Sequence, residues 1–301
     1  MWPWEFFLSR KGGAIMLERV RKVSVFTTSP TKGNPAGVVL GADDLSRDEM
    51  QVCAKKVGLS ETVFCLNSEH ADLRLRFFMP DKETPLCGHG TLGAVWLFLK
   101  ESDTLISKTI TVETEAGQLT LNYDELTEEL TMSQCPYQSQ PFNGERPALC
   151  RVLGISEVDL AEELPLEYGS TGVWTLLVPV KNAETLEQMQ ADNQLFPHVL
   201  TDYPYASIHP YAPSQKEGID YEARHFSSAT AGVTEDPVTG TASGSMVGAL
   251  AKYSKSDQLE LTIEQGLSLG KEGMVRANAS KNQTTGEDTI SISGRCCLGE
   301  F

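Results

Sequence analysis

The sequence predicts an α+β fold of two similar halves, each with a β-sheet wrapped around one central helix. Short strand-forming segments recur along the whole chain. Two helical segments, residues 92–100 ("LGAVWLFLK") and 243–253 ("SGSMVGALAKY"), are apolar or small on nearly every side. A helix that is apolar all round is buried all round. Each of these segments follows a glycine turn, so both halves place a turn at the start of a buried helix.

The first elements follow from local signals. Residues 20–28 ("VRKVSVFTT") are rich in β-formers and predict the first strand, and residues 37–40 predict the second after a Gly-Asn-Pro turn. Ser46 with Glu49 three residues later forms a capping-box pattern, which predicts a helix start. Gly58 predicts its end.

The remaining elements alternate in the same way. Strands are predicted at "ETVFCLN" and "DLRLRFFMP", followed by the first buried helix and two further strands. After Cys135-Pro136 the pattern restarts, with a strand at "GVWTLLVPV", a helix at residues 182–196 ("NAETLEQMQADNQLF") and a strand at "YEARHFSS". The second buried helix comes next, and the chain ends in strands at "LELTIEQ", "GMVRANA" and "TISISGR".

An internal repeat connects the two buried helices. When Pro85 is set on Pro237, 152 residues further on, "PLCGHGTLGAVWLFLK" aligns with "PVTGTASGSMVGALAK". Gly88 then matches Gly240, and Cys87 matches Thr239. The offset is about half the chain, which favours two halves of similar build.

We expect the first half to span residues 16–133 and to be completed by a C-terminal strand at 289–301. The second half is expected to span residues 134–288. Residues 1–15 read as an N-terminal extension that the fold does not need, because a more typical start follows at Met16.

Composition limits the partners. The formal net charge of the 301-residue chain is −16, which argues against nucleic acid, because phosphate binding needs clustered Lys and Arg. Neither a secretory signal pattern nor an apolar window of membrane-spanning length is present in the sequence. The seven cysteines include no CxxC pair. We therefore expect a cytoplasmic protein that binds neither nucleic acid nor membrane.

The glycine turns suggest a chemistry. The unpaired N–H groups and the dipole of a helix N-terminus attract an anion, so two such ends facing one cleft would hold a carboxylate and stabilise an enolate beside it. Such a reaction needs a base, and Glu61 in "LSETVFC" is the candidate, since burial would raise the pKa of its carboxyl. Structural alternatives remain open: Glu61 caps a strand or pairs with an arginine, and Asp236 forms an Asp-Pro turn.

Four stretches together resemble the phenazine-biosynthesis PhzF-like family: "GNPAGVVL", "LSETVFC", "RFFMPDKETPLCGHGTLGA" and "EDPVTGTASGS". A fifth, "EQGLSLGKEGMV", is similar to a late segment of that family. The resemblance implies a diaminopimelate-epimerase-like fold, in which two pseudo-symmetric halves, each a mixed sheet or open barrel around a central helix, enclose the active site in a cleft.

The resemblance also implies roles. Glu61 would move the substrate proton, and His89 and Asp236 would line the cleft. The substrate, a small carboxylic acid, would be bound by Ser60, Gly88, Gly90, Thr91, Gly240 and Thr241. Neither a metal nor an organic cofactor would be used, and the protein would be a homodimer that acts as an isomerase, by proton shift or epimerisation, in a biosynthetic process.

Cys87 keeps other readings open. Related epimerases and proline racemases use one cysteine in each half as opposed bases, but here the partner position holds Thr239, whose hydroxyl is too weak an acid. A one-thiol epimerase or dehydratase based on Cys87 is the alternative enzyme. A Cys-His nucleophile or a zinc site is disfavoured, because neighbours in a turn are expected to point apart and the other histidines show no ligand spacing. A non-catalytic small-molecule binding protein is the third reading.

Overall fold

The computed structural model describes residues 17–102, 108–254, 256–281 and 288–300. The chain divides into two compact units. One contains the residues up to Met132 together with Arg295–Phe301, and the other contains Ser133–Gly294. The predicted extension at residues 1–15 lies outside the described residues.

The first unit is a mixed sheet with two helices in its described part. Its strands are β1 (Arg21–Val25), β2 (Asn34–Val39), β3 (Thr62–Leu66), β4 (Leu73–Phe78), β5 (Glu83–Thr84), β6 (Thr109–Thr114), β7 (Gly117–Asp124), β8 (Glu129–Ser133) and, from the C-terminus, β17 (Cys296–Leu298). Its helices are α1 (Arg47–Val57) and α2 (Gly88–Glu101).

The second unit is also a mixed sheet, with more helical turns. Its strands are β9 (Gln138–Pro141), β10 (Glu167–Ser170), β11 (Trp174–Pro179), β12 (Ser207–Pro213), β13 (Tyr221–Ala223), β14 (Gln258–Gln265), β15 (Gly273–Lys281) and β16 (Asp288–Gly294). Its helices are α3 (Arg146–Leu153), α4 (Ala183–Gln188), α5 (Phe196–Val199) and α6 (Gly240–Ser254), with 3-10 turns at Glu157–Asp159, Asn193–Leu195 and Leu267–Leu269.

Both units repeat one pairing pattern. Neighbouring strands run β17-β1-β2-β3-β4-β6-β7-β8 in the first unit and β9 through β16 in the second. In each described series the third and fifth pairs are parallel (β2/β3 and β4/β6, then β11/β12 and β13/β14), and the other pairs are antiparallel. The predicted halves of similar build, with mixed sheets, are therefore confirmed.

The two buried helices occupy matching places in this pattern. Helix α2 lies between β4 and β6 in the chain, and α6 lies between β13 and β14. Nearly all residues from Gly90 to Phe98 and from Gly240 to Leu250 are buried. Helix α2 packs on β1, β2 and β3, whereas α6 packs on β10, β14, β15 and β16. None of the described helices is long and apolar enough to cross a membrane.

Several local predictions are confirmed. The Ser46 side chain accepts from the Glu49 N–H, and the Glu49 carboxylate accepts from the Ser46 N–H at 2.9 Å, which completes the capping box at the start of α1. Gly58 ends the helix in the left-handed region at φ 69°. Local hydrogen bonding alone decides these termini, so the sequence signal suffices.

The predicted helix at residues 182–196 is wrong. Helix α4 ends at Gln188, because Met189 turns to ψ 135°, and the Asp192 side chain then accepts from the Gln194 N–H to start a separate 3-10 turn. The next short helix, α5, begins at Phe196 and has Pro197 in its first turn. Two local caps thus divide a segment whose composition alone favours one continuous helix.

The boundary near the C-terminus also differs from the sequence prediction. Strand β16 belongs to the second unit, and only the chain from Arg295 returns to the first. The reason is pairing: β16 forms an antiparallel ladder with β15 and packs against α6. Strand β17 then pairs with β1.

We predict that Gly248→Ala destabilises the protein. A Cβ at Gly248 would lie 2.6 Å from Cγ of Tyr137, whose hydroxyl donates to Glu167 at 2.9 Å and holds the ring in place. Overpacking of this kind costs about 1–3 kcal/mol, more than the helix propensity that alanine adds. Urea denaturation measures the change. Gly244→Ala is the control, since its Cβ would meet atoms no closer than 3.3 Å; equal losses in both variants would contradict the argument.

We predict that the unfolding free energy falls as pH drops from about 6.5 toward 4. His225 Nδ1 and His209 Nδ1 lie 3.3 Å apart in the second unit. Burial lowers the pKa of His225 to about 4, and burial together with His225 lowers the pKa of His209 well below 6.5. Between pH 6.5 and 4 the histidines are protonated in the unfolded chain but stay neutral in the folded chain. For His225 this difference lowers the unfolding free energy by roughly 3 kcal/mol.

Urea midpoints between pH 7 and pH 4.5 check this sign. The His225→Gln variant should show a shallower loss of stability with falling pH than the wild type. His198→Gln, at an exposed position of the same unit, is the matched control and should keep the wild-type slope. A His225→Gln profile that is parallel to the wild type would refute the assignment.

Candidate active site

Glu61 is placed by the junction between α1 and β3. Gly58 ends the helix, and three residues later the Glu61 carbonyl accepts from the Gly37 N–H at 3.1 Å, which ties the backbone to β2. The side chain is 17% exposed. Its Oε2 is buried without a hydrogen-bond partner in the described structure and lies 3.5 Å from His89 Nε2. The carboxylate therefore faces the imidazole, and in the described structure it neither caps a strand nor pairs with an arginine.

Cys87 and His89 form the first turn of α2. Cys87 is the N-cap, with extended backbone at φ −142°, and its Sγ accepts from the Gly90 N–H at 3.3 Å. His89 is 10% exposed, and its Nδ1 lies 3.4 Å from Cys87 Sγ. The expectation that these neighbours point apart is wrong, because the extended N-cap residue turns its side chain back over the helix end.

Glu61, His89 and Cys87 thus form one cluster. Their potential ligand atoms lie within 4.8 Å of one another, and a carboxylate, an imidazole and a thiol are a donor set that suits zinc. However, the carboxylate approaches Nε2, whereas the thiol lies nearer Nδ1 (3.4 Å) than Nε2 (4.0 Å). A single metal ion binds only one nitrogen of an imidazole, whereas here the carboxylate and the thiol lie beside different ring nitrogens. This arrangement matches a series of proton donors and acceptors, Glu61-His89-Cys87, better than the coordination sphere of one ion.

The other predicted residues of the first unit have mixed placements. Ser60 and Gly88 are half-buried beside Glu61 and His89 in the chain. Gly90 is required by close packing, because a Cβ there would lie 2.8 Å from Val63 Cγ2. Thr91 is fully buried, and its hydroxyl donates to the Cys87 carbonyl at 2.8 Å. Gly90 and Thr91 therefore shape the turn, and their contact with substrate stays a prediction.

In the second unit, Asp236 lies in the loop before α6. Its N–H donates to the His225 carbonyl at 2.9 Å, and its Oδ2 accepts a short hydrogen bond from the Thr239 hydroxyl. Gly240 is the first residue of α6, and the Thr241 carbonyl accepts from Thr171 and from Ser245, each at 3.1 Å. The half-buried carboxylate is held at the helix end by the residue that aligns with Cys87.

Gln265 is a functional candidate that the sequence reasoning did not assign. It is 1% exposed at the end of β14, its Nε2 donates to the Asp236 carbonyl at 2.8 Å, and its Oε1 accepts from the Thr239 N–H at 3.1 Å. The following Gly266 has φ 95°, and a Cβ there would lie 2.7 Å from the Pro237 carbonyl. In the sequence, the Gln265-Gly266 pair in "EQGLSLGKEGMV" was the available signal for this residue.

The two helix ends share their backbone geometry. Thr91 Oγ1 donates to Cys87 O at 2.8 Å, and Ser243 Oγ donates to Thr239 O at 3.1 Å, at positions that align in the repeat. Neither α2 nor α6 has an acidic residue in its first turn. The first turns themselves therefore carry no negative charge, and the acidic groups at these ends are Glu61 beside α2 and Asp236 before α6. That the two helix ends face one cleft stays a prediction.

Comparisons with known proteins agree with this build. Residues 23–299 match the family described as "Phenazine biosynthesis-like protein" (PhzC-PhzF). "Uncharacterized isomerase YfhB" of Bacillus subtilis is 42% identical, over 93% of this chain and 96% of that protein. A crystal structure of a Bacillus anthracis phenazine biosynthesis protein of the PhzF family is 41% identical, with a TM-score of 0.89 over 93% of this chain and 96% of that one.

A more distant structure shares the fold alone. A probable proline racemase from Agrobacterium radiobacter is 14% identical, with a TM-score of 0.58 over 93% of this chain and 90% of that one. The predicted fold of two halves of similar build with mixed sheets is confirmed by the pairing pattern, and this racemase structure shares it. With a family match over almost the whole described chain and a relative at 42% identity, the protein belongs to the PhzC-PhzF family of phenazine biosynthesis-like proteins.

Proposed function

We propose that this protein is a cofactor-independent isomerase that moves a proton on a small carboxylic acid, by proton shift or epimerisation, with Glu61 as the acid/base. Relatives named isomerases support an isomerase. The observation that carries the finer proposal is the buried Glu61 Oε2, which lies 3.5 Å from His89 Nε2 and has no hydrogen-bond partner in the described structure. A carboxylate oxygen without a hydrogen-bond partner is available to take a substrate proton.

Two features of Glu61 support its proposed role as a general base. A base must reach the proton that it removes, and a carboxylate already bonded to an arginine or a backbone N–H loses basicity. Glu61 has neither constraint among the described contacts, and its backbone is anchored through Gly37. It can therefore accept a proton and return it without moving the main chain.

His89 has the role of a neighbour that shares the proton. Its Nε2 faces Glu61 and its Nδ1 faces Cys87. A neutral imidazole has a donor at one ring nitrogen and an acceptor at the other. It would stabilise negative charge on the substrate near Glu61.

The helix ends supply the binding of the substrate carboxylate. Gly88 begins α2 and Gly240 begins α6, and backbone N–H groups at such ends bind carboxylates. Ser60 and Thr241 are half-buried beside the turns and are proposed to contact the substrate. Asp236, with its carboxylate fixed by Thr239, is proposed as an acid/base in the second unit. Homodimer assembly and a cytoplasmic location stay predictions.

One observation favours a second candidate function. Cys87 Sγ lies 3.4 Å from His89 Nδ1 and accepts from the Gly90 N–H at the N-terminus of α2. A histidine and a helix N-terminus are neighbours that reactive cysteines have. A one-thiol epimerase or dehydratase would use this thiol as its base. The aligned Thr239 leaves a two-thiol mechanism incomplete.

We predict that Glu61→Gln lowers proton exchange at least a hundredfold. Gln keeps the shape of the side chain but cannot accept the proton, and general-base contributions are about 10²–10⁴-fold. The measurement is deuterium incorporation from D₂O into a panel of small amino, hydroxy and unsaturated carboxylic acids, followed by mass spectrometry. Glu69→Gln, at an exposed position, is the control. Wild-type exchange in Glu61→Gln would exclude Glu61 as the base.

We predict that Cys87→Ser keeps exchange within about tenfold of the wild type. Serine is a good N-cap, so α2 should retain its start while the thiol is lost. The same deuterium assay distinguishes the two candidates, with Cys135→Ser at an exposed position as the control. A Cys87→Ser variant that is folded but inactive would establish the thiol mechanism instead.

A further inference from the structure

Both units contain the same Arg-X-Phe segment beside the turn that leads to the buried helix. Arg76 and Phe78 lie at the end of β4, and Arg224 and Phe226 directly follow β13, its counterpart. The guanidinium carbon lies 5.3 Å from the ring centroid of Phe78 in one unit and 4.7 Å from that of Phe226 in the other. Each arginine thus stacks on the phenylalanine two residues later.

Each phenylalanine pairs with a glutamate across an antiparallel bridge. Phe78 is the partner of Glu83, and Phe226 is the partner of Glu235. This register brings each glutamate next to the stacked arginine. We call this combination of arginine, phenylalanine and glutamate the Arg-Glu clamp. Its residues are Arg76, Phe78 and Glu83 in the first unit and Arg224, Phe226 and Glu235 in the second.

The ion pairs of the two clamps are short and shielded. Arg76 Nε donates to Glu83 Oε1 at 2.7 Å. In the second clamp Arg224 is bidentate, with Nε donating to Glu235 Oε1 at 2.9 Å and Nη2 to Oε2 at 2.6 Å. The Arg224 and Glu235 side chains are 12% and 9% exposed. Planar, bidentate pairs fix direction as well as distance.

The connecting loops differ while the clamps do not. Phe78 and Glu83 are five residues apart in the sequence, whereas Phe226 and Glu235 are nine apart. Four additional residues in the second loop leave the bridge and the ion pair in place. The bridge and the ion pair therefore fix the glutamate and the turn after it, whereas the length of the loop before the glutamate is free to differ.

The turn after each glutamate carries the residues of the proposed chemistry. Asp236 is the next residue after Glu235, and Cys87 and His89 come four and six residues after Glu83. Arg224 is itself anchored, because Nη1 donates to the carbonyls of Leu186 at 2.7 Å and Met189 at 2.9 Å, at the end of α4. Glu235, the residue before Asp236, is therefore bound to an arginine that is itself hydrogen-bonded to the end of α4.

We propose that Arg224 and Glu235 are positioning residues that fix Asp236, and that Arg76 and Glu83 fix the turn of Cys87 and His89 in the same way. The role of positioning rests on the proposed function. A shielded ion pair adds little net stability because desolvation offsets the attraction. Its directional hydrogen bonds, however, hold the main chain before the catalytic turn, and a displacement of about 1 Å there can cost a hundredfold in rate.

The test compares Arg224→Lys with Arg276→Lys. Lysine keeps the charge but loses the bidentate geometry, whereas Arg276 Nε lies 3.9 Å from Glu260 Oε1 in the same unit, with both side chains about half-exposed. Glu235→Gln is the second variant, in case Arg224→Lys does not fold. Two readouts are used: amide hydrogen exchange of peptides covering residues 236–243, and deuterium incorporation into whichever acid of the panel the wild type labels fastest.

In Arg224→Lys and Glu235→Gln we expect amides of residues 236–243 to exchange at least tenfold faster, while β14 and β15 keep wild-type protection. Labelling at saturating acid should fall at least tenfold, with less than a threefold change in the half-saturating concentration. Arg276→Lys should match the wild type in both readouts.

Two results would overturn the proposal: unchanged protection and labelling in both variants, or faster exchange spread evenly over the unit, which indicates a merely structural role. If the wild type labels none of the acids, the proposed function fails, and the hydrogen-exchange readout still decides whether the clamp fixes the turn.

Discussion

The burial of one apolar helix inside each sheet is the constraint on which the rest of this structure depends. Because α2 and α6 are surrounded by their own sheets, their first turns cannot shift without disturbing the core. Gly93 shows how tight this is: a Cβ there would lie 3.1 Å from Val25 Cγ2 on β1. The same packing that stabilises each unit therefore also fixes the position of a helix N-terminus.

The repeat preserves geometry and lets the chemistry diverge. Both helix ends make the same hydrogen bond from a hydroxyl at the fourth helical residue to the N-cap carbonyl, through Thr91 and Ser243. At the N-cap itself, Cys87 faces an imidazole, whereas Thr239 donates to the Asp236 carboxylate. The two ends are therefore not equivalent: one has a carboxylate-imidazole-thiol cluster, and the other has a fixed carboxylate.

The sequence predicts the features that are decided locally or by period. The capping box at Ser46, the stop at Gly58 and the two buried helices are confirmed because neighbouring residues and all-round apolarity determine them. The contact between Cys87 and His89 was not predictable in the same way, since it depends on the extended backbone at the N-cap. Gln265 was missed because its partners, Asp236 and Thr239, are more than 25 residues away in the sequence.

The loop between Phe226 and Glu235 shows how a longer connection can keep the same bridge and ion pair. The connection of eight residues between Phe226 and Glu235 is held by Asn193, which is 5% exposed. Its Nδ2 donates to the carbonyls of Ser227 at 3.2 Å, Ser228 at 3.4 Å and Val233 at 3.2 Å. A buried amide that binds both ends of the loop satisfies the backbone groups that the additional residues bring. The loop can therefore change in length without changing the strand register that places Glu235 beside Arg224, and Asp236 follows directly after this glutamate.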